Sequence, residues 1–256
     1  MGASDSKLDL EEYDVNKLAD LGTFLFLGPN IQTALWQFLN LKKHIPQAVV
    51  MASPELEDEY QQIVSDVYIY TSYSSDLAHK IITRQLKLGN KMGPVLMVIE
   101  HDRTHLPVDR LYKTDKNFRQ LIDYAKQLRL CLALVMREPA YIPLRRQLPR
   151  NSMSSKSSPR MDYIIVSRKK GLQQDTIDDE YTRKLYKFYF RSFLPDDENT
   201  FHDTLAYYTN DEHVLVLVKD QDLYYYKPDN PTEPFHIGIE VEEEEEKTET
   251  DIKQVE

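Results

Sequence analysis

Gly28 closes a short apolar run, Thr23 to Leu27, and is followed by Pro29, Asn30 and an apolar-periodic stretch from Ile31 to Leu39. Strand, tight turn and helix start, in that order, are the frame that cradles a phosphate, because backbone N–H groups and the helix dipole converge there. The segment Gly28 to Leu35 has the length of the pattern G-x-x-x-x-G-K-[ST], and its first glycine is in place. The other three determinants have changed: Thr33 stands at the second glycine, Ala34 at the lysine and Leu35 at the hydroxyl residue. That lysine would bring positive charge to the β- and γ-phosphates, and the hydroxyl would hold Mg²⁺. Ala34 has no charge, and Leu35 has no oxygen for a hard cation. Thr33 puts a Cβ where the backbone must approach its ligand closely. The plain alternative is a strand entering a core helix, with Trp36 and Phe38 as packing residues. The frame of a nucleotide site is present without its chemistry.

A second set of reactive residue types follows the apolar run Val95 to Ile99: Glu100, His101 and Asp102. Carboxylates at a strand end suit a divalent cation, and a histidine there serves as a base or as a hydrogen-bonding structural residue. His101, Asp102, His105 and Asp109 are the densest group of metal-ligand types. Two histidines four apart share a helical face, but Leu106 and Pro107 interrupt any helix and no cysteine joins them, so no metal is assigned. Glu57, Asp58 and Glu59 read as a solvated charged turn.

The net charge of −10 averages two opposed regions. Residues 240–256 hold nine acidic residues and two lysines, whereas residues 137–170 hold nine Lys/Arg and two acidic residues. Arg145, Arg146, Arg150, Lys156 and Arg160 lie in a Pro- and Ser-rich connection at about 139–160, a form that contacts phosphates without reading sequence. An ordinary solvated loop, or a dock for an acidic partner, explains them equally. The acidic tail could screen this basic segment or occupy it. Only 7 glycines argue against a glycine-rich phosphate cradle elsewhere. No stretch reaches the roughly 20 apolar residues of a membrane span, and the polar N-terminus does not read as a secretory signal. The single cysteine, Cys131, lies in an apolar strand pattern, which excludes an internal disulfide and fits buried packing in a reducing compartment.

The elements that must position these residues alternate. Strands are expected at Thr23 to Leu27, Ala48 to Ser53, Val67 to Tyr73, Val95 to Ile99, Leu130 to Met136 and Tyr163 to Ser167. Helices are expected at Asn30 to Lys43, Asp76 to Leu88, Asp115 to Leu128 with Asp115 as cap, Asp178 to Phe193 and Asn199 to Tyr208. A strand pair, His213 to Val218 and Leu223 to Tyr226, follows; within it Tyr224, Tyr225 and Tyr226 alternate sides, leaving a ring exposed, at an interface, or on a capping strand. The pattern predicts an α/β fold, a mostly parallel sheet with helices on both faces. Its expected boundaries are a polar arm at 1–20, one domain at 21–228 and a disordered acidic tail at 229–256.

The order of these pieces resembles the poxvirus-type genome-packaging ATPases of large double-stranded DNA viruses, P-loop ATPases of the FtsK/HerA class. Thr23 to Leu39 lies in the Walker A position and Val95 to Asp102 in the Walker B position. Pro46 to Ser53, Val67 to Tyr73 with the following helix, Asp162 to Lys169 and Leu185 to Phe193 resemble that family's other core strands and helices. The resemblance covers about residues 20–228. It implies two acidic residues at the end of Walker B, where this chain has Glu100 and His101 with Asp102 one step on, and a polar sensor, commonly Gln, where it has Arg137. What it implies is a degenerate homologue without a cofactor, acting as a structural or regulatory component of genome packaging or virion assembly. Implied partners are viral assembly proteins, an active packaging ATPase, further copies of the chain and double-stranded DNA; the implied location is the virion or host cytoplasm. The alternatives are a working ATPase that holds ATP and Mg²⁺ through Glu100 and Asp102, and a capsid-associated protein that binds neither nucleotide nor DNA.

Overall fold

The computed structural model describes residues 7–64, 68–91, 93–100, 108–137, 161–167, 183, 186, 198–210, 212–218 and 223–238. Its strands are β1 (Glu11–Glu12), β2 (Gly22–Leu27), β3 (Gln47–Met51), β4 (Ile69–Tyr70), β5 (Val95–Glu100), β6 (Leu130–Met136), β7 (Tyr163–Val166), β8 (Val214–Val218) and β9 (Leu223–Tyr226). The helices are α1 (Gln32–Leu41), α2 (Glu57–Gln61), α3 (Ser75–Leu88), α4 (Val108–Thr114), α5 (Lys116–Asp123) and α6 (Glu198–Asn210).

Every residue of β2, β5 and β6 is buried, as strands covered on both faces must be, and this is why they read as unbroken apolar runs. They form the centre of one sheet in the order β1-β9-β8-β7-β2-β6-β5-β3-β4. All pairings from β7 to β4 are parallel; β8 runs antiparallel to β7 and to β9, and β1 returns parallel to β9. Alternate side chains feed two cores. Helices α3, α4, α5 and α6 cover one face through Ile82, Leu111, Phe118 and Phe201; α1 and α2 cover the other through Leu35, Phe38 and Tyr60. The expected mostly parallel α/β sheet with helices on both faces is thus the observed one.

Local chemistry sets the helix ends. The Asp115 carboxylate accepts from the N–H groups of Asn117 (2.8 Å) and Phe118 (3.0 Å), starting α5 as expected. Ser74 caps α3 in the same way through the Leu77 N–H, and α3 ends at Gly89 with φ +50°. Between β2 and β7 lies a polar clamp. The Thr23 N–H and hydroxyl donate to Asp162 Oδ2 (3.0 and 3.1 Å), while Lys126 donates to Oδ1 at 2.9 Å. Burial would raise the Asp162 carboxyl, but Lys126 and Thr23 outweigh it and hold it below the usual value.

Five expectations need correction. The strand expected over Val67 to Tyr73 narrows to Ile69–Tyr70 among the described residues, because it pairs only along one edge. The acidic stretch after Ser53 is helical, a single turn at Pro54–Leu56 leading into α2, and Tyr60 at its centre is fully buried. The periodicity of Asp76 to Leu88 predicts one inner side of Leu77, Ile81, Ile82, Gln85 and Leu88, but Leu88 is 42% exposed, because α3 faces the core through Ala78, Ile82 and Gln85. The tyrosine run meets other parts of the chain: Tyr225 stacks on Tyr208 of α6 at 4.5 Å, and Tyr224 meets Tyr13 of the N-terminal stretch at 5.4 Å. That stretch is held there by the Leu8, Leu10 and Tyr13 N–H groups, which donate to the Thr204 hydroxyl, the Tyr208 hydroxyl and the Tyr225 carbonyl.

The fifth correction concerns the C-terminal side. Beyond β9 the chain stays on the body to Gly238: Phe235 packs on the α1 face, and Ile237 is buried there. Ile237 bridges Val64 and donates its N–H to the Ile63 carbonyl at 2.7 Å. Six strand spacings separate β9 from β3, roughly 29 Å at about 4.8 Å each. Residues 227–237 are therefore a nearly extended strap across the sheet. The acidic residues 240–256 lie outside the described residues, as do the expected helix at Asp178 to Phe193, apart from positions 183 and 186, and the basic connection at 139–160.

Candidate functional site

In a parallel sheet the strands deliver their carboxyl ends to one edge, where loops are free to carry chemistry. Register fixes which residues meet there. Leu27 pairs with Met136 and Glu100 with Val135, so Gly28, Glu100 and Arg137 emerge side by side from adjacent strands. The Gly28 N–H donates to the Met136 carbonyl at 2.9 Å, and its φ of +111° is a backbone conformation that favours glycine. Sequence reasoning placed this turn correctly.

The helix that follows turns its key positions inward. Ala34 and Leu35, which stand where a phosphate-binding lysine and a Mg²⁺-binding hydroxyl would be, are completely buried beside Phe38 and Leu39. Ile31 precedes α1 without offering a side-chain cap, and Thr33 is half-buried. These positions pack a core.

Glu100 is 3% exposed, and both its oxygens are occupied. Tyr60 donates its hydroxyl to Oε2 at 2.5 Å, Arg137 pairs through Nε with Oε1, and Arg137 Nη2 reaches Oε2 at 3.3 Å. The same Nη2 donates to Glu59 Oε2 at 3.0 Å, and Gln32 Nε2 donates to that same oxygen at 3.0 Å. The start of α1, the helix α2 and the ends of β5 and β6 are thereby tied into one network. Burial pushes the Glu100 carboxyl up, while the Arg137 charge and the Tyr60 hydroxyl oppose it. Burial and the adjacent Glu100 push the Tyr60 phenol well above its ordinary value, so Tyr60 is a donor throughout the working pH range. For Arg137 burial acts downward, but Glu100 and Glu59 overcome it and the guanidinium stays charged.

The network changes what this edge can do. A carboxylate that binds Mg²⁺ needs a free oxygen facing the cation. Here the guanidinium stands where a cation would stand, so the carboxylate's charge is already neutralised. Ala34 and Leu35, in the core, bring neither a charge nor an oxygen to this edge. Among the described residues there is also no group of three or more His, Cys, Asp or Glu placed to hold a metal.

Several candidates lie outside the described residues: His101, Asp102 and His105, and the basic set Arg145, Arg146, Arg150, Lys156 and Arg160. Asp109 is in α4. The structure adds three residues that sequence reasoning missed, Gln32, Glu59 and Tyr60. Glu59 is a correction: read as part of a solvated turn, it is the second carboxylate on Arg137. The spacing of Leu56 and Tyr60, four apart, was the available sign that the acidic stretch is a helix with an inner face.

No protein-family model matches the chain, and no curated protein matches it. Among solved structures, it is similar to the genome-packaging NTPase B204 of Sulfolobus turreted icosahedral virus 2 in complex with ATP-γ-S. That match is 15% identical, covers 82% of this chain and 99% of the other, and has a TM-score of 0.49. B204, the DNA-packaging ATPase of Sulfolobus turreted icosahedral virus, is 12% identical over 81% of this chain and 97% of its own, with a TM-score of 0.47. The pCW3 conjugation coupling protein TcpA is 12% identical over 88% of this chain and 71% of its own, with a TM-score of 0.45.

Proposed function

We propose that this chain is a non-hydrolysing protein on a P-loop ATPase frame, a structural or regulatory component of viral genome packaging or virion assembly. The observation that carries the non-hydrolysing part is the enclosure of Glu100 by Arg137 and Tyr60. A packaging ATPase needs a lysine on the phosphates, a hydroxyl and a carboxylate on Mg²⁺, and a polar group sensing the γ-phosphate. This chain has alanine, leucine, a neutralised glutamate and an arginine at those places. The packaging assignment is supported by the order and spacing of the stretches from Thr23 to Phe193, which resemble the viral packaging ATPases. Its partners on this reading are viral assembly proteins, an active packaging ATPase in a shared oligomer, and DNA at Arg145, Arg146 and Arg150; its place is the virion or the assembly site in the host cytoplasm.

The test is titration of the purified chain with a fluorescent ATP analogue and Mg²⁺, followed by phosphate release with and without DNA. The expected result is no saturable binding at millimolar nucleotide and no turnover. Saturable binding with turnover that Glu100→Ala abolishes would overturn the proposal and restore a motor. Salt-sensitive DNA binding that is lost when Arg145, Arg146 and Arg150 become alanine would place the chain on the genome; its absence would leave a capsid-associated role.

A further inference from the structure

At the opposite end of the sheet from Glu100, a cleft of about 140 Å³ opens between the start of β3 and the C-terminal half of α3. Ala48, Val49, Ile81, Val95 and the part-exposed ring of Tyr68 give it largely apolar walls, and Arg84 stands on its α3 side. An apolar cavity of about 150 Å³ holds a benzene ring, so this cleft takes one group of leucine or phenylalanine size.

Outside the cleft, the exposed side of α3 is positive. His79, Lys80, Arg84 and Lys87 are all exposed, and Arg84 belongs both to the cleft and to this outer face. Lys80, Arg84 and Lys87 follow one another at i, i+4 and i+7, which sets them in a row along the helix. From Leu77 to Ile99 the chain has four Lys/Arg and no acidic residue, so the helix offers these cations no partner of its own. None of the three forms an ion pair with any other described residue. At 1.5 Å per residue the row from Lys80 to Lys87 is roughly 10 Å long, the reach of about three residues of an extended peptide.

The two features together select the ligand. A nucleic-acid backbone would answer the cations, but its phosphates bring nothing apolar to the cleft. A small amphiphilic carboxylate would fill the cleft and meet Arg84, leaving Lys80 and Lys87 unanswered. An extended acidic peptide that carries one large apolar residue satisfies both, since apolar burial and charge complementarity then act side by side.

We propose that this face of α3 and its cleft dock an acidic segment of a partner protein, with one apolar side chain in the cleft and the neighbouring carboxylates on Arg84, Lys80 and Lys87. The site lies at the other end of the strands from the Glu100 network, and it stands whether or not the chain takes part in genome packaging.

The test is calorimetric titration of the full-length chain with the synthetic peptide Ac-Leu-Glu-Glu-Glu-Glu-NH2 at low salt. One-to-one saturable binding at submillimolar peptide is expected, and it should weaken as salt shortens the reach of the charges. Two substitutions locate it. The variant Lys80→Glu/Arg84→Glu/Lys87→Glu should bind at least tenfold more weakly; its three side chains are exposed, so the fold is kept, which far-UV circular dichroism checks. Replacing the peptide's leucine with serine should also cost at least tenfold, and Tyr68→Ser, on the part-exposed wall, should narrow that difference between the two peptides. No saturation by millimolar peptide would overturn the proposal. So would equal affinity for the leucine and serine peptides, which would leave a face that attracts any polyanion, nucleic acid included. A leucine preference untouched by Tyr68→Ser would place the anchor elsewhere and overturn it as well.

Discussion

Replacing Arg137 with methionine isolates the energetics of the strand-end network. The substitution removes the Nε pair to Glu100, the 3.3 Å contact of Nη2 to the same carboxylate and the 3.0 Å bond to Glu59. Glu100 stays 2% exposed at its side chain and keeps only the Tyr60 hydroxyl. Breaking a buried pair from one side costs about 3–5 kcal/mol; because Arg137 is itself 24% exposed, the lower end, about 3 kcal/mol, is expected. At roughly 2–4 °C per kcal/mol for a chain of this size, Tm falls by roughly 6–12 °C. The loss should depend on pH with a defined sign. The Glu100 carboxyl is already raised by burial, and without Arg137 it rises further. Its unfolded counterpart titrates near 4.3. A raised folded value stabilises below the unfolded value and loses that contribution as pH rises through the folded one. The penalty is therefore full at pH 8 and shrinks towards pH 5. Urea unfolding followed by the fluorescence of Trp36, the only tryptophan, reads it directly, since that ring meets Tyr60 edge-on at 5.5 Å. Adding Glu100→Gln to Arg137→Met should recover at least half of the loss. A loss under about 0.5 kcal/mol, or the same loss at pH 5 and pH 8, would refute the assignment of a buried ion pair.

Cys131 is fully buried in β6, and burial pushes its thiol up to about 12, so a thiol reagent at pH 8 should leave it unmodified until urea unfolds the chain. Rapid labelling of the native protein would contradict the sheet centre described above. Asp162→Asn should cost roughly 1–3 kcal/mol through the lost charge-assisted bonds to Lys126 and Thr23, measured by the same urea titration. Because the Asp162 carboxyl is held low, its contribution is present above the unfolded value near 3.9 and fades as pH falls through the folded one. The variant and parent should therefore draw together in stability as pH falls below the unfolded value.

The parts of the fold that were legible in the sequence are those fixed by local pattern. The runs of β2, β5 and β6 announce strands buried on both faces, and Asp115 announces the start of α5. Gly28, Glu100 and Arg137 were recognisable as strand-end residues, because a parallel sheet sends them to one edge. Their mutual arrangement was not recognisable. Arg137 meets Glu100 and Glu59 across separations of 37 and 78 residues, and no periodicity records such a meeting. Glu59 was misread for that reason: a charge looks solvated until its tertiary partner is known. The strap was hidden similarly: Phe235 and Ile237 alternate as in a strand, but they follow prolines and polar residues, and their partners Ile63 and Val64 lie far away in sequence.

That strap and the first strand also impose an order on assembly. β1 pairs with Tyr224 and Tyr225, and Val64 pairs with Ile237, so both closures join chain segments far apart in sequence. On a ribosome, the block β2, β3, β5 and β6 can pair once residues up to Met136 have emerged. The two closures must wait until about a hundred more residues have followed. Contacts of such long sequence separation make folding slow, because the entropy of closing the loop is lost before the contact repays it. Until β7, β8 and β9 have followed, the outer side of β2 is uncovered, as is the surface under Ile237, and they are the points at which a nascent chain of this protein is most open to pairing with a neighbour.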